Sequence, residues 1–301
     1  MTERILRQIK TRYKTWDRGK GKTGDLFIDL MSDDATFSSI GGGGDAMQFT
    51  RTHRTREKIR AYFEGLALDW QMIFYNVRMF LVSGHTIAVI CECAWKNRHT
   101  GKTVHSPKLD VIRVKDGRMH DFFEYFDTHQ AYAACLPGGE ADARRPKPLY
   151  RWGAARTVAG ATAATAANVK MLRKLYARWH ATRGSSGSAR AFVNILAANV
   201  IWGSLGAGTR PIAFTQTRMT RDEVGLYFRE LASAYDMNFY DVGEYIAAGP
   251  FVLVLAQVSF TSRKTGRIFV SPKADLWRFA RGKATEFYEY YDTAKAIAAA
   301  G

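Results

Sequence analysis

The sequence lacks long apolar runs and contains little cysteine. No run approaches the roughly 20 apolar residues that a membrane-spanning helix needs, so we predict no membrane partner. The three cysteines, Cys91, Cys93 and Cys135, are too few for a disulfide framework and are typical of reduced thiols. No second cluster of metal ligands accompanies Cys91 and Cys93, so we predict no metal site and no cofactor. The opening stretch MTERILRQIKTRYK lacks the apolar core of a secretory signal, which favours a cytoplasmic protein.

Acidic residues are few relative to basic ones. The chain has 28 Asp and Glu against 44 Lys and Arg, which gives a formal net charge of +16. Such a charge is compatible with a nucleic-acid partner. The basic residues are scattered, however, with only short clusters such as Arg144, Arg145 and Lys147, and no helix-turn-helix, zinc knuckle or RNA-binding strand motif is present. We therefore predict a solvated basic surface and no specific nucleic-acid partner.

Two stretches of the chain are nearly the same. The line SPKLDVIRVKDGRMHDFFEYFDT begins at residue 106, and SPKADLWRFARGKATEFYEYYDT begins at residue 271. The same offset of 165 aligns residues 27–131 with residues 192–296 without a gap. A period of this length is too long for a solenoid unit, so it indicates a duplicated domain.

The stretch between the copies is rich in alanine, glycine and proline. Pro137-Gly138-Gly139 ends the last helix of the first copy, and the residues that follow have little hydrophobic periodicity. We predict a first domain over 1–136, a linker over 137–168 and a second domain over 169–301.

The elements of one copy follow a clear order. An amphipathic helix over 3–18, a second helix at about 24–32 and a third helix capped by Thr55 come first. Four strands follow, at about 70–81, 86–97, 103–115 and 118–127, with turn signals such as Asp116-Gly117 between them. Asp127 and Asp292 are predicted to cap the last helix of each copy. This order predicts an α+β domain in which three helices pack on a strongly curved, mainly antiparallel sheet that encloses a cone-shaped pocket.

The repeated final hairpin and the order of helices and strands resemble the SnoaL-like and ketosteroid-isomerase-like proteins, members of the nuclear-transport-factor-2 fold. The resemblance covers both copies and implies two tandem cones. It does not decide the chemistry, because this fold serves isomerases, aldol cyclases, epoxide hydrolases, dehydratases and non-catalytic binders.

The resemblance implies an oxyanion hole in each copy. Asp110 and Asp275 match the strand aspartic acid of the isomerases, and Tyr13 and Tyr176 match their hydrogen-bonding tyrosine. In those enzymes a neutral aspartic acid and a tyrosine stabilise an enolate while a second aspartate moves the proton.

Both copies depart from the family's catalytic patterns. The position that the isomerases use for their base is a serine in each copy, and a serine cannot act as a base at neutral pH without an activator. Epoxide hydrolases of this fold use an Asp-Arg-Asp arrangement, which is incomplete here. The serines at the isomerase base position are Ser39 and Ser204. At the positions of the Asp-Arg-Asp arrangement, the first copy has Glu92, Ile90 and Glu124, and the second copy has Gln257, Leu255 and Glu289.

Three carboxylates of the first copy, Glu92, Asp110 and Glu124, are predicted to face the pocket. Like charges in a closed pocket raise at least one pKa, which leaves an acid beside a base. The alternative is that Lys108, two residues from Asp110 on the same face, holds one of them in a structural ion pair. In both copies we expect further ligand-binding residues, namely Lys108, Tyr176, Lys273, Asp275, Trp277 and Glu289.

The sequence leaves two main hypotheses. The first is an isomerase, cyclase or hydrolase that uses pocket carboxylates and Tyr13 on a small ketone, polyketide or epoxide. The second is a non-catalytic ligand-binding or scaffold protein of the same fold. We expect the first copy to be the catalytic one, because Gln257 replaces Glu92 in the second. Proteins of this family commonly pair through the outer face of the sheet, so we expect the two copies to pair within a single chain as a pseudo-dimer.

Overall fold

The computed structural model describes residues 3–138 and 155–301. The chain divides into two compact units, Met1–Val158 and Ala159–Gly301, called here the first and second domain. In the described part of the chain, no helix is long and apolar enough to cross a membrane. The basic cluster of Arg144, Arg145 and Lys147 and most of the predicted linker lie outside the described residues.

The first domain begins with helices and continues as a meander of long strands. The helices are α1 (Glu3–Arg18), α2 (Asp25–Ile28), α3 (Arg56–Asp69) and α4 (Thr128–Cys135). The strands are β1 (Met31–Ser39), β2 (His53–Arg54), β3 (Trp70–Ser83), β4 (Thr86–Asn97), β5 (Thr103–Lys115), β6 (Arg118–Tyr125) and β7 (Arg156–Ala159), and a 3-10 helix spans Asp45–Thr50.

The second domain repeats this order. Its helices are α5 (Ala163–Ala181), α6 (Ser186–Asn194), α7 (Arg221–Ala234) and α8 (Thr293–Ala300). Its strands are β8 (Leu196–Ser204), β9 (Tyr235–Ala248), β10 (Phe251–Ser262), β11 (Ile268–Ala280) and β12 (Lys283–Tyr291), with a 3-10 helix over Ala213–Thr215.

Each domain has its own sheet. The first has the strand order β2-β1-β6-β5-β4-β3-β7, and the second has the order β8-β12-β11-β10-β9. Strands β1 and β6 pair in parallel, as do β8 and β12, whereas the meander from β3 to β6 and from β9 to β12 is antiparallel. The predicted fold class, two tandem α+β cones with mainly antiparallel sheets, is confirmed.

The first helix of each domain places a tyrosine against the sheet. In α1, Ile5, Ile9, Tyr13 and Trp16 recur at helical spacing and are buried. In α5 the corresponding face includes Tyr176, which is buried like Tyr13. The amphipathic pattern of the sequence therefore fixes the direction in which these two hydroxyl groups point.

Two boundaries differ from the prediction. The second helix covers only Asp25–Ile28, because the chain joins the sheet as β1 at Met31, where it pairs in parallel with β6 through an irregularity between Met31 and Thr36. Within the stretch predicted as linker, β7 belongs to the first sheet and α5 begins at Ala163, while the domain bounds stay a prediction. Thr162 and Thr165 form a reciprocal capping box there, which starts the helix before residue 169.

The predicted helix caps are confirmed. Asp127 accepts a hydrogen bond from the backbone N–H of Gln130, and Asp292 accepts one from that of Lys295, both at 3.1 Å. These two carboxylates satisfy unpaired N–H groups at the start of the final helices. They are therefore occupied outside the acid clusters described below.

Candidate functional site

The final hairpin of each domain brings an aspartate and a glutamate face to face. Asp110 on β5 lies directly opposite Glu124 on β6, and Asp275 on β11 lies opposite Glu289 on β12. Both hairpins close with two residues of positive φ, Asp116-Gly117 and Arg281-Gly282, a geometry that matches the right-handed twist of the strands. A one-residue register shift, between Arg113 and Val114 in β5 and between Arg278 and Phe279 in β11, then brings the two acids opposite each other.

A lysine joins the two carboxylates in each domain. Lys108 lies two residues before Asp110 on the same face of β5. Its Nζ contacts Asp110 Oδ1 and lies 2.6 Å from Glu124 Oε2. In the second domain, Lys273 Nζ lies 3.2 Å from Asp275 Oδ1 and contacts Glu289 Oε2. The side chains of both lysines are 8–9% exposed, so each triad is a buried ion network.

Three tyrosines complete the network of the first domain. Tyr13 from α1 and Tyr75 from β3 both donate to Asp110 Oδ2, at 2.7 Å and 2.5 Å. Tyr62 from α3 donates to Glu124 Oε1 at 2.8 Å. Three separate elements therefore converge on the acid pair.

The second domain repeats the tyrosine contacts and adds one. Tyr176 donates to Asp275 Oδ2 at 2.5 Å, Tyr240 donates to the same oxygen, and Tyr227 lies 3.1 Å from Glu289 Oε1. Trp277 then donates its Nε1–H to the hydroxyl oxygen of Tyr176 at 2.9 Å. This extra bond orients Tyr176, and the first domain has Ile112 at the equivalent position.

Burial and charge set the protonation states of these groups. Burial alone would lower the pKa of Lys273, but Asp275 and Glu289 raise it above the ordinary value. The pKa of Lys108 is raised in the same way by Asp110 and Glu124. Burial raises the pKa of Tyr176 and Tyr240, and the charge of Asp275 raises it further. Both lysines are therefore charged at neutral pH, and the tyrosines are neutral donors.

These raised pKa values predict a loss of stability at alkaline pH. A group whose pKa is higher in the folded state contributes stability that is present below its unfolded pKa, about 10 for tyrosine, and is lost as the pH rises above it. The six tyrosines that contact the two acid pairs all have such raised pKa values, namely Tyr13, Tyr62, Tyr75, Tyr176, Tyr227 and Tyr240. We expect these tyrosines to ionise only as the protein unfolds. A pH titration that records tyrosinate absorbance and far-UV circular dichroism in parallel measures both events. Reversible ionisation of all 14 tyrosines near pH 10 with circular dichroism unchanged would contradict this.

The predicted residues do not all meet. Asp110, Glu124, Lys108 and Tyr13 lie together, as do Tyr176, Lys273, Asp275, Glu289 and Trp277. Their contact with ligand and their catalytic role stay predictions.

The placement of Glu92 in the pocket is wrong. It alternates along β4 with Cys91 and Cys93, which face the cluster side, so its side chain lies on the other face of the sheet. There it accepts a hydrogen bond from Asn76 at 2.9 Å and pairs with His105 at 2.9 Å.

The sequence reading missed four of the tyrosines. They are Tyr62, Tyr75, Tyr227 and Tyr240, none of which the sequence singled out as a candidate site residue. The sequence did contain a signal for them, because Tyr62 aligns with Tyr227 and Tyr75 aligns with Tyr240 at the offset of 165. A tyrosine retained in both copies and buried is expected to use its hydroxyl group in a hydrogen bond.

The acid cluster of the second domain opens into one continuous cavity. This cavity has a volume of about 80 Å³ and reaches Tyr176, Lys273, Asp275 and Glu289 together. Its walls are mostly aromatic and include Trp179, Trp202, Phe228, Phe260 and Trp277. The polar groups therefore converge at one place in an otherwise apolar cavity, which is the usual composition of a small-molecule site.

In the described part of the first domain, the corresponding space is divided. An outer cavity of about 70 Å³ reaches Lys108 and Glu124, and an inner one of about 40 Å³ reaches Asp110 and Tyr13. Among the described residues of both domains, no group of three or more His, Cys, Asp or Glu side chains is arranged to hold a metal ion.

Comparison with known proteins finds a family match within the first domain. Residues 10–122, from α1 to β6, match the family described as SnoaL-like domain. No curated protein matches the chain.

Solved structures similar to the chain include an NTF2-like protein of unknown function from Burkholderia pseudomallei, with 25% identity over 44% of this chain and 95% of that chain and a TM-score of 0.39. They also include a putative SnoaL-like polyketide cyclase from Jannaschia, with 13% identity over 46% of this chain and 95% of that chain and a TM-score of 0.38. A protein of ketosteroid isomerase-like fold from Catenulispora acidiphila, in complex with trimethylamine, has 17% identity over 44% of this chain and 92% of that chain and a TM-score of 0.36.

Proposed function

We propose that this chain, which contains a SnoaL-like domain, binds a small, largely apolar molecule in the cavity of its second domain and moves a proton on it. The substrate class is a ketone, a polyketide or an epoxide, and the reaction is an isomerisation, cyclisation or hydrolysis. The observation that carries the proposal is the continuous aromatic cavity that ends on Asp275, Tyr176, Lys273 and Glu289. A cavity of about 150 Å³ can hold a benzene molecule, so the 80 Å³ here suits the reacting part of a ligand rather than a whole polyketide.

Each polar group has a role that its surroundings support. Tyr176 and Tyr240 are neutral donors whose hydroxyl hydrogens both point at one oxygen of Asp275, so a ligand oxygen that takes the place of this carboxylate oxygen would accept their hydrogen bonds. The charge of Lys273 would stabilise negative charge that develops on that ligand oxygen. Asp275 Oδ1 lies 3.2 Å from Lys273 Nζ but accepts no hydrogen bond of good geometry from the described residues, so it is the oxygen to which we assign the role of taking a proton from the ligand.

A second candidate is binding without catalysis. It is favoured by Lys273, which contacts both carboxylates of the cluster and so holds them in a buried structural ion network. The serine at the isomerase base position is also occupied, since Ser204 donates to the hydroxyl of Tyr291 and accepts from the backbone N–H of Gly206, both at 3.2 Å.

Hydrogen exchange into a small ketone distinguishes the two candidates. Cyclopentanone would be incubated with the full chain in D₂O, and the incorporation of deuterium next to its carbonyl would be followed by mass spectrometry. We expect exchange above the rate in buffer and above the rate with unfolded protein. Binding of cyclopentanone without added exchange would favour the non-catalytic candidate. If neither cyclopentanone nor a molecule that copurifies with the chain binds in the cavity, the proposal fails.

A further inference from the structure

Five residues separate the two cavities of the first domain, since they line both of them. They are Tyr62, Leu66, Trp95, Lys108 and Glu124. The residues at the five equivalent positions of the second domain all line one undivided cavity. The side chains at these positions therefore decide whether the acid cluster is connected to the outer part of the cone.

Four of the five positions are identical in the two domains. At the offset of 165, the counterparts are Tyr227, Leu231, Phe260, Lys273 and Glu289, and all of them line the cavity of the second domain. The one difference is that Phe260 stands where the first domain has Trp95.

The rings at this position also pack differently. The indole of Trp95 lines both cavities and packs against Trp16, with 6.2 Å between ring centroids. The smaller ring of Phe260 stacks on Phe269 at 5.7 Å and packs against Tyr235 at 6.2 Å. Protein interiors are close-packed, so the additional ring of an indole fills space that a phenyl ring leaves open.

We infer that the residue at this position determines which domain admits a ligand. Trp95 closes the first cone by dividing its cavity, whereas Phe260 keeps the second cone open. This inference rests on the proposed ligand-binding function. It adds that the first domain contains a complete but closed site, which a single substitution opens.

Reciprocal substitutions test the inference in the full chain. The indole N–H resonances of tryptophan report each domain separately, because Trp16 and Trp70 line the first-domain cavities and Trp202 and Trp277 line the second. With cyclopentanone as the probe, we expect the native chain to show shifts at tryptophans of the second domain, such as Trp202 and Trp277, and none at Trp16 or Trp70. W95F should add shifts at Trp16 and Trp70, which indicates a second site. F260W should weaken binding in the second domain at least about tenfold, and W95F/F260W should move the single site to the first domain.

A control and a second variant keep the test decisive. W70F also removes an indole from the first domain, but Trp70 lines only the outer cavity, so this variant should leave the first site closed. Should F260W fail to fold because the core is overpacked, W95F alone still decides, since it introduces the residue found in the second domain. A folded W95F protein with no shift at Trp16 or Trp70, while Trp202 and Trp277 still respond, would overturn the inference and leave the proposed function intact. No response of any indole to cyclopentanone or to a copurifying ligand would instead count against the proposed function.

Discussion

Replacing Lys273 by methionine is expected to lower the free energy of unfolding by about 3–5 kcal/mol, the usual cost of removing one partner from a buried ion network. Methionine fills similar space, so the loss would come from charge. Without the ammonium group, Asp275 and Glu289 face each other across the hairpin, both with low exposure. Urea unfolding of the full chain at pH 7 measures the effect. We expect the loss of stability to appear in the unfolding transition that is followed through the tryptophan signals of the second domain.

Two further variants separate charge from packing. K295M removes a lysine that is half-exposed and pairs with Asp292 at 3.1 Å, and it should cost no more than about 1 kcal/mol. The triple variant K273M/D275N/E289Q should recover much of the stability lost in K273M, because no uncompensated charge remains. A K273M protein as stable as K295M would mean that Lys273 does not balance a buried negative charge.

Asp275→Asn is expected to reduce hydrogen exchange into a bound ketone about 100-fold or more, the usual contribution of a positioned general base. Asparagine has the shape of aspartate and can still accept from Tyr176 and Tyr240, but it cannot take up a proton. If Asp275 acted only as a neutral hydrogen-bond donor to the developing oxyanion, asparagine would replace that donor and the loss would stay below about tenfold. Initial exchange rates at saturating cyclopentanone distinguish these outcomes.

The matched variant in the first domain is Asp110→Asn. We expect it to change the exchange rate less than D275N, because the acid cluster of the first domain lies in a divided cavity. The sequence predicted the opposite order on the ground that Gln257 replaces Glu92. The replacement of Glu92 by Gln257 does not support that order, because Glu92 lies on the other face of the sheet. Loss of exchange in D110N with full exchange in D275N would restore the first domain as the active one.

The sequence predicted most of the fold and half of the site. The internal repeat and the Asp-Gly turn were sufficient to predict the final hairpin, but the pairing of Asp110 with Glu124 also depends on the register shift between Arg113 and Val114. Strand alternation then places Lys108 beside Asp110. These are local relations between neighbouring residues, which a periodic pattern can express.

Strand β4 shows why the rest could not be predicted. Nine consecutive residues, from Thr86 to Ala94, are buried on both faces of the sheet. Such a strand has no alternation of polar and apolar residues to indicate which side chains point inward. Irregular pairing between β3 and β4, at Met72/Phe74 and Val77/Met79, also shifts the register around Tyr75. The inward direction of Tyr75 and the outward direction of Glu92 therefore depend on tertiary packing.

The duplicated ion network makes the chain its own reference. Lysine, aspartate, glutamate and three tyrosines make equivalent contacts in both domains, but only in the second do the described residues surround them with one continuous cavity. Equivalent substitutions, such as K108M and K273M, therefore remove the same chemistry from two settings in one molecule under identical solvent conditions. The part of the effect that both share belongs to folding. The difference between them measures how the continuous cavity of the second domain changes the cost of leaving the two carboxylates unpaired.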